Sequence, residues 1–172
     1  MKHLMVLIFL ALPSVAADKP IRLFDGKTFA GWEGNEQSFR LEQGAIVGGT
    51  LKARIPRNEF LCTKKTYKNF ILTLEVKLLG GPKANAGIQI RTKRIPNHHE
   101  VSGYQADMGV GWWGSLYDES RRRIRLYINE QLTVDYTEPD PNIPLAGVIA
   151  LQIHGGPPSE AWYREITLTE LP

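Results

Sequence analysis

The sequence predicts an all-β chain, an antiparallel β-sandwich or jelly roll, and three observations predict it. Apolar and polar residues alternate with period two in one segment after another. Glycine and proline separate these segments, while helical periodicity is scarce. Some nine or ten such strands share about one domain's length of chain, which leaves no room for crossover helices.

Taken in order, the first residues stand apart from this pattern. Lys2 and His3 precede the apolar run Leu4 to Leu12, and Ser14, Val15, Ala16 and Ala17 follow Pro13. A charged start, a short apolar stretch and small residues describe a signal peptide over residues 1–17, with export of the remainder. The apolar run is shorter than the roughly 20 residues of a membrane span, so no integral membrane segment is expected after cleavage. No cysteine follows it to carry a lipid anchor. Residues 18–172 then form a single β-sandwich domain, large enough to bury a real core.

FRLEQGAIVGG reads as a hairpin turning near Gln43 and Gly44. In FILTLEVKLL, Phe70, Leu72, Leu74, Val76 and Leu78 share one face, opposite Thr73, Glu75 and Lys77, and Gly80-Gly81-Pro82 ends the strand. AGIQIRTKR repeats the alternation, with Gln89 and Arg91 opposite Ile88 and Ile90. SGYQADM places Gln105 and Asp107 together, and GVIALQIH pairs Gln152 with His154 against Ile149, Leu151 and Ile153. RIRLYINEQLTVDY and WYREITLTEL supply the remaining strands. Three strands thus carry amides, an arginine and a histidine where sandwich strands usually expose lysine and glutamate. Together they favour a polar surface able to grip hydroxyl groups, although for any single strand a solvated outer face explains as much.

GWWGSLYDESRRR interrupts the strands. Trp112 and Trp113 lie between Gly111 and Gly114, pointing opposite ways, so one is free to pack inward while the other lies open. An exposed indole is a platform for the C–H face of a sugar ring, and an inward one seals the end of the sandwich. Tyr117, Asp118, Glu119 and Arg121 follow closely, either as a surface network or as groups that orient substrate oxygens.

Other function classes are excluded. Twenty-one basic against eighteen acidic residues give a formal charge of +3, too balanced to call for nucleic acid or a membrane surface. The single cysteine, Cys62, makes no internal disulfide and reads as a buried small hydrophobe. There is no nucleophile elbow, phosphate-binding glycine loop, C-x-x-C pair or H-E-x-x-H helix. His98 and His99 are adjacent, an arrangement that reads as exposed rather than metal-binding. Glu100, Asp107, Asp118 and Glu119 are candidate carboxylates, but spacing does not pair them as a glycosidase requires.

Six segments in order, from Leu23 to Leu171, resemble the 3-keto-disaccharide hydrolase domain family. LFDGKTFAGW is similar to its L-F-[ND]-G-K-x-x-x-G-W opener, and Asn85, Gly87 and Arg91 to its N-x-G-[IF]-x-x-R strand. GYQADM is similar to its Y-[EQ]-x-x-[ID] strand and GWWGSLY to its G-x-[LI]-Y segment. The ending resembles G-x-I-x-L-Q-x-H-x-G followed by [FY]-R-x-I. The resemblance implies a concanavalin A-like jelly roll, export, and cleavage of sugars oxidised at C3 by elimination and hydration. The ligand is then a small-molecule carbohydrate, with no nucleic acid partner. It further implies His154, Asp107, Glu119 and Arg91 as catalytic residues, with His154 as base or metal ligand, since imidazole titrates near neutral pH. Gln105, Tyr104, Trp112, Trp113, Tyr117, Arg121 and Gln152 would bind substrate. A divalent metal ion would stabilise the enolate oxygen, a task open also to Arg91 or Gln105. The alternative is a carbohydrate-binding module of the same fold, without catalysis.

Three positions depart from the family pattern. Arg123 runs directly into Ile124 where the family has a longer interval, which is expected to remove a strand or to displace Glu119 and Arg121. Glu130 follows Asn129 where Asn-Gly is usual, and Glu165 stands where asparagine is usual.

Overall fold

The computed structural model describes residues 19–117, 124–137, 139 and 142–172. The leader and the segment carrying Asp118, Glu119 and Arg121 lie outside the described residues. Among those described there is no helix, and all strand pairs are antiparallel. The strands are β1 (Ile21–Arg22), β2 (Trp32–Gly34), β3 (Phe39–Glu42), β4 (Ala45–Thr50), β5 (Glu59–Thr63), β6 (Phe70–Gly80) and β7 (Asn85–Arg94). They continue as β8 (Val101–Gly109), β9 (Leu116–Tyr117), β10 (Ile124–Ile128), β11 (Gln131–Tyr136), β12 (Val148–Ile153) and β13 (Ser159–Glu170).

One sheet runs β1-β13-β4-β3, with β6 on the other side of β13; the second runs β2-β5-β12-β7-β8-β9. Their facing sides make the core. Leu61, Ile88, Leu151 and Ile153 from the second sheet meet Ile46, Tyr163, Ile166 and Leu168 from the first, all but Ile88 fully buried. Burial of this apolar surface stabilises the sandwich at about 25 cal/mol per Å2.

The expected hairpin at Gln43 and Gly44 is present, with φ of 49° and 72°, the paired left-handed backbone that matches strand twist. The β10–β11 hairpin turns through Asn129 and Glu130, at φ 47° and 66°. A side chain at the second position crowds its own backbone there, which is why glycine is favoured. Replacing Glu130 by glycine is therefore expected to stabilise the protein by about 0.5–1 kcal/mol, read as a higher urea midpoint with unchanged slope. A lower midpoint would refute it. Glu165 also has positive φ, 49°, at the bulge where β13 exchanges β4 for β1 as its neighbour. Asparagine tolerates that backbone better than glutamate.

In the LFDGKTFAGW segment, Asp25 accepts hydrogen bonds from the backbone N–H groups of Lys27 (2.8 Å) and Thr28 (2.7 Å). The Thr28 hydroxyl donates to its other oxygen at 2.6 Å. That hydroxyl first, then the two amides, holds the carboxyl down at about 2. Trp32 closes the segment by donating its indole N–H to the Leu23 carbonyl, 2.8 Å away.

One expectation about faces fails. A strand with solvent on one side alternates in burial, yet β5 is buried at every residue and β12 at all but its first. Something covers the outward face of the second sheet. The cause begins at Arg91, whose φ of 50° breaks the alternation that placed it beside Gln89. There β7 slips register against both β12 and β8, a β-bulge that bends the strand. Beyond the bend, Arg94 reaches Glu33 on β2, and Val101 packs on Phe60, Cys62 and Ala150. The tip of the β7–β8 hairpin therefore folds over its own sheet. Gly103, at φ 155°, permits the bend: a Cβ there would meet the Thr92 Oγ at 2.4 Å.

Candidate functional site

Strand register places the polar residues on that outward face in three rows. Cys62, Ala150, Gln89 and Gln105 lie in line across β5, β12, β7 and β8, with Tyr117 of β9 next to Gln105. The second row is Phe60, Gln152, Gly87 and Asp107. His154, just past the end of β12, donates its backbone N–H to the Asn85 carbonyl, and Asn85 pairs with Gly109 to complete the third.

The side chains form a connected set. Gln89 donates its amide to Gln105 Oε1. Asp107 accepts at Oδ1 from Asn85 Nδ2 and from the Met108 backbone N–H, both at 2.8 Å. Asn85 thereby ties Asp107 to the strand end that carries His154. His154 is exposed; its Nδ1–H donates to the Gly155 carbonyl at 2.6 Å, which leaves Nε2 as the lone-pair nitrogen. The Gly155 N–H in turn is held by Asn58 Oδ1 at 2.9 Å.

Gly87 matters because it has no side chain. A Cβ at this point would lie 2.5 Å from Gln105 Cγ and Cδ, so the glutamine rests directly over the glycine backbone. A Gly87→Ala variant should fold, because the clash falls on a flexible side chain, but it should push Gln105 off Gln89. We expect a loss of about 1–3 kcal/mol of stability, the cost of leaving the buried Gln89 amide unpaired. Urea denaturation showing an unchanged midpoint would contradict this.

The structure thus brings His154, Asp107, Gln105 and Gln152 to one face, with Gln89 and Asn85 among them. It does not bring Tyr104 there. Tyr104 is 1% exposed and alternates with Gln105, so it lies on the core side with Met108. Arg91 sits in the bulge, at the margin of the rows. Glu119 and Arg121 are outside the described residues, and of Tyr117 the backbone position alone is described. Trp112 and Trp113 both lie open, 57% and 44% exposed, so of the two arrangements the open one holds for both and neither ring is packed inward. Their turn is fastened to Asp107: Asp107 N–H donates to the Ser115 carbonyl at 2.9 Å, and Gly114 N–H to the Asp107 carbonyl at 3.1 Å.

His98 is exposed, as expected, and His99 is half-buried. They stack at 4.5 Å between ring centres, and His99 Nδ1–H donates to the Asn58 carbonyl at 3.1 Å. Asn58, which nothing in the sequence signals, also donates to Glu100 Oε1 at 3.1 Å. Among the described residues no three His, Cys, Asp or Glu side chains converge to hold a metal ion.

Among the described residues β10 and β11 pair only with each other. Their hairpin rests on the tryptophan turn through the Thr133 hydroxyl, which donates to the Gly114 carbonyl at 2.9 Å.

Comparison with known proteins places this geometry. The model of the family described as "3-keto-alpha-glucoside-1,2-lyase-like domain" matches residues 19–123, more than half of the chain. A search of curated proteins returns no match. Among solved structures, a candidate glycosyl hydrolase from Parabacteroides distasonis superposes with a TM-score of 0.70 at 14% identity, over 89% of this chain and 94% of that one. The carbohydrate-binding module CBM66 from Bacillus subtilis gives 0.60 at 12% identity, over 81% and 96%. A Bacillus licheniformis β-glucanase gives 0.55 at 10%, over 92% and 100%. At such identities the likeness establishes the jelly-roll fold, which hosts both enzymes and binding modules.

Proposed function

The chain belongs to the 3-keto-alpha-glucoside-1,2-lyase-like domain family, and from that premise we propose that it cleaves the glycosidic bond of sugars oxidised at C3. One observation carries the reading to these residues. His154, Asp107 and the amides of Gln105 and Gln152 share one face of a jelly roll, and Asn85 links the aspartate to the histidine end.

The chemistry asks for one base. A C3 ketone acidifies the C2 proton. His154 Nε2 takes that proton, the C1–O bond breaks, and its electron pair leaves with the aglycone oxygen. A C1=C2 double bond conjugated to the ketone remains, and water then adds across it, so the net change is hydrolysis. Gln105 has committed Oε1 to Gln89; its Nε2–H2 is the donor for the developing enolate oxygen. Asp107, pinned at Oδ1, keeps its other oxygen to hold a sugar hydroxyl or the proton on its way to the aglycone. On the leader-like residues 1–17, the protein acts after export.

The two open indoles favour a second reading, a sugar-binding module without turnover. One experiment separates them. Purified mature protein is incubated with methyl 3-keto-α-glucoside, with and without chelator, and methanol release is followed. Release supports the enzyme, and its loss on chelation would add a metal to the site. Binding by calorimetry without release would make the protein a binding module.

A further inference from the structure

We propose that the tip of the β7–β8 hairpin, residues 93–101, is a lid. Lifting it admits a sugar, two of whose hydroxyl groups donate to the buried oxygens Gln89 Oε1 and Gln152 Oε1. The ligand half rests on the sugar reading above; the lid does not.

The lid follows from where its side chains land. In the sheet, β2 is three strands from β7, roughly 14 Å at the usual strand spacing. Arg94 of β7 nevertheless bonds Glu33 Oε1 at 2.8 Å and also donates to the Glu33 carbonyl. A strand lying in the sheet plane cannot do that. The hairpin must cross the outward face above β12 and β5. His99 and Glu100 meet Asn58 at the far end of that crossing, and Val101 presses on Phe60, Cys62 and Ala150.

Its attachments are the kind that release. The bend already exists at Arg91 and Gly103. The latch is polar and partly exposed: Arg94 and Glu33 keep 35% and 47% of their side-chain surface in water. Exposed ion pairs of this kind hold weakly. Val101 is the one lid residue packed on the buried apolar cluster of that face. Regions with few buried apolar contacts open well before the whole fold does.

What the lid faces asks for a ligand. Gln89 and Gln152 are 3% and 4% exposed, on neighbouring strands one row apart. Each has a buried carbonyl oxygen with no hydrogen-bond partner. Buried acceptors are nearly always paired. Two such oxygens on neighbouring strands, next to donors on Gln105, match two hydroxyls that flank a carbonyl, as the C2 and C4 hydroxyls of a 3-keto-glucoside do. An amide oxygen accepts and does not donate, so it selects hydroxyls over anions.

Cys62 makes the lid measurable. It is the sole cysteine, lies on the same face beneath Val101 and is fully buried. Burial pushes its thiol up to about 11, so it labels slowly while covered. Mature protein is treated with iodoacetamide at pH 8 and the alkylation rate followed by mass spectrometry. Arg94→Ala removes both contacts to Glu33. It is expected to raise the rate about tenfold, as for loss of one charged hydrogen bond, with the thermal midpoint nearly unchanged. An unchanged rate in this folded variant overturns the lid.

Gln152→Leu tests the oxygens. Removing an unsatisfied acceptor should raise the melting temperature by a few degrees. Affinity for methyl 3-keto-α-glucoside should fall at least tenfold by calorimetry. Unchanged affinity, or a lower melting temperature with affinity intact, assigns these oxygens to structural water and overturns the ligand half. The two readings fail separately. Sugar binding with no effect of Arg94→Ala on labelling removes the lid and leaves the sugar site. Faster labelling in Arg94→Ala, with no sugar bound by the wild type, keeps the lid and removes the sugar reading together with the ligand half.

Discussion

Replacement of His154 by alanine is expected to lower turnover of a 3-keto-glucoside by about 10²- to 10⁴-fold, the range of a lost general base. The expectation is specific because His154 contributes so little else. It is exposed, it lies beyond the end of β12, and its one recorded side-chain hydrogen bond goes to the adjacent Gly155 carbonyl. Stability should therefore hold within about 0.5 kcal/mol, the usual limit for surface changes. Substrate affinity should change much less than the rate, since the amides do the holding. Asp107→Asn serves as the contrast. It keeps the shape and the Met108 N–H contact but removes the charge, so both rate and affinity should fall. If His154→Ala turns over substrate at the wild-type rate, the base is another group, and Asp107 becomes the first to test.

The second large effect concerns Tyr163. Its ring lies fully buried in the core on β13, and its hydroxyl crosses to the other sheet. There it donates to the Gln152 carbonyl at 2.6 Å and lies 3.2 Å from the Gly87 carbonyl. Burial drives its ionisation far above the ordinary phenol range, so it remains a donor at every working pH. Tyr163→Ala is expected to cost about 3–5 kcal/mol through the cavity it leaves, enough to unfold a marginal domain. Tyr163→Phe keeps the ring and should cost about 1–3 kcal/mol for the unpaired carbonyl. Chemical denaturation measures both. A phenylalanine variant as stable as the wild type would show that the hydroxyl does not matter. Because Gln152 and Gly87 belong to the site rows, the phenylalanine variant should also weaken sugar binding. The core thus sets the spacing of the strands that present the amides.

Much of this was legible in the residues themselves. Alternation in GVIALQIH and SGYQADM put Gln152 with His154 and Gln105 with Asp107, because a strand turns each successive side chain to the opposite face. The turns at Gln43-Gly44 and Asn129-Glu130 were legible for a similar reason: left-handed backbone has few hosts, and the chain order of strand, turn and strand names the hairpin. The order of the first four family segments, from LFDGKTFAGW to GWWGSLY, anticipated the match over residues 19–123.

Other features were not legible. Alternation misplaced Arg91, because a single residue in left-handed conformation reverses every face after it. Tyr104 was assigned to the site by the family resemblance alone; alternation puts it opposite Gln105, and there it lies, 1% exposed. The adjacent histidines read as exposed, as His98 is, but nothing in their spacing signals that the two rings stack on each other and that His99 bonds the Asn58 carbonyl. Cys62 was read correctly as buried, but what buries it is a hairpin tip some forty residues away in sequence.

Local pattern, then, determined which residues are strands, which turns join them and which amides share a face. Those depend on neighbours two to four positions apart, and the chain states them directly. The tertiary structure alone decided that the polar face is roofed by its own hairpin, that Asn85 and Asn58 join Asp107, His154 and Glu100 into one network, and that two amide oxygens are left without partners. Each of these is a meeting of distant segments, set by how a bent hairpin falls across a sheet, and no spacing along the chain encodes where it lands.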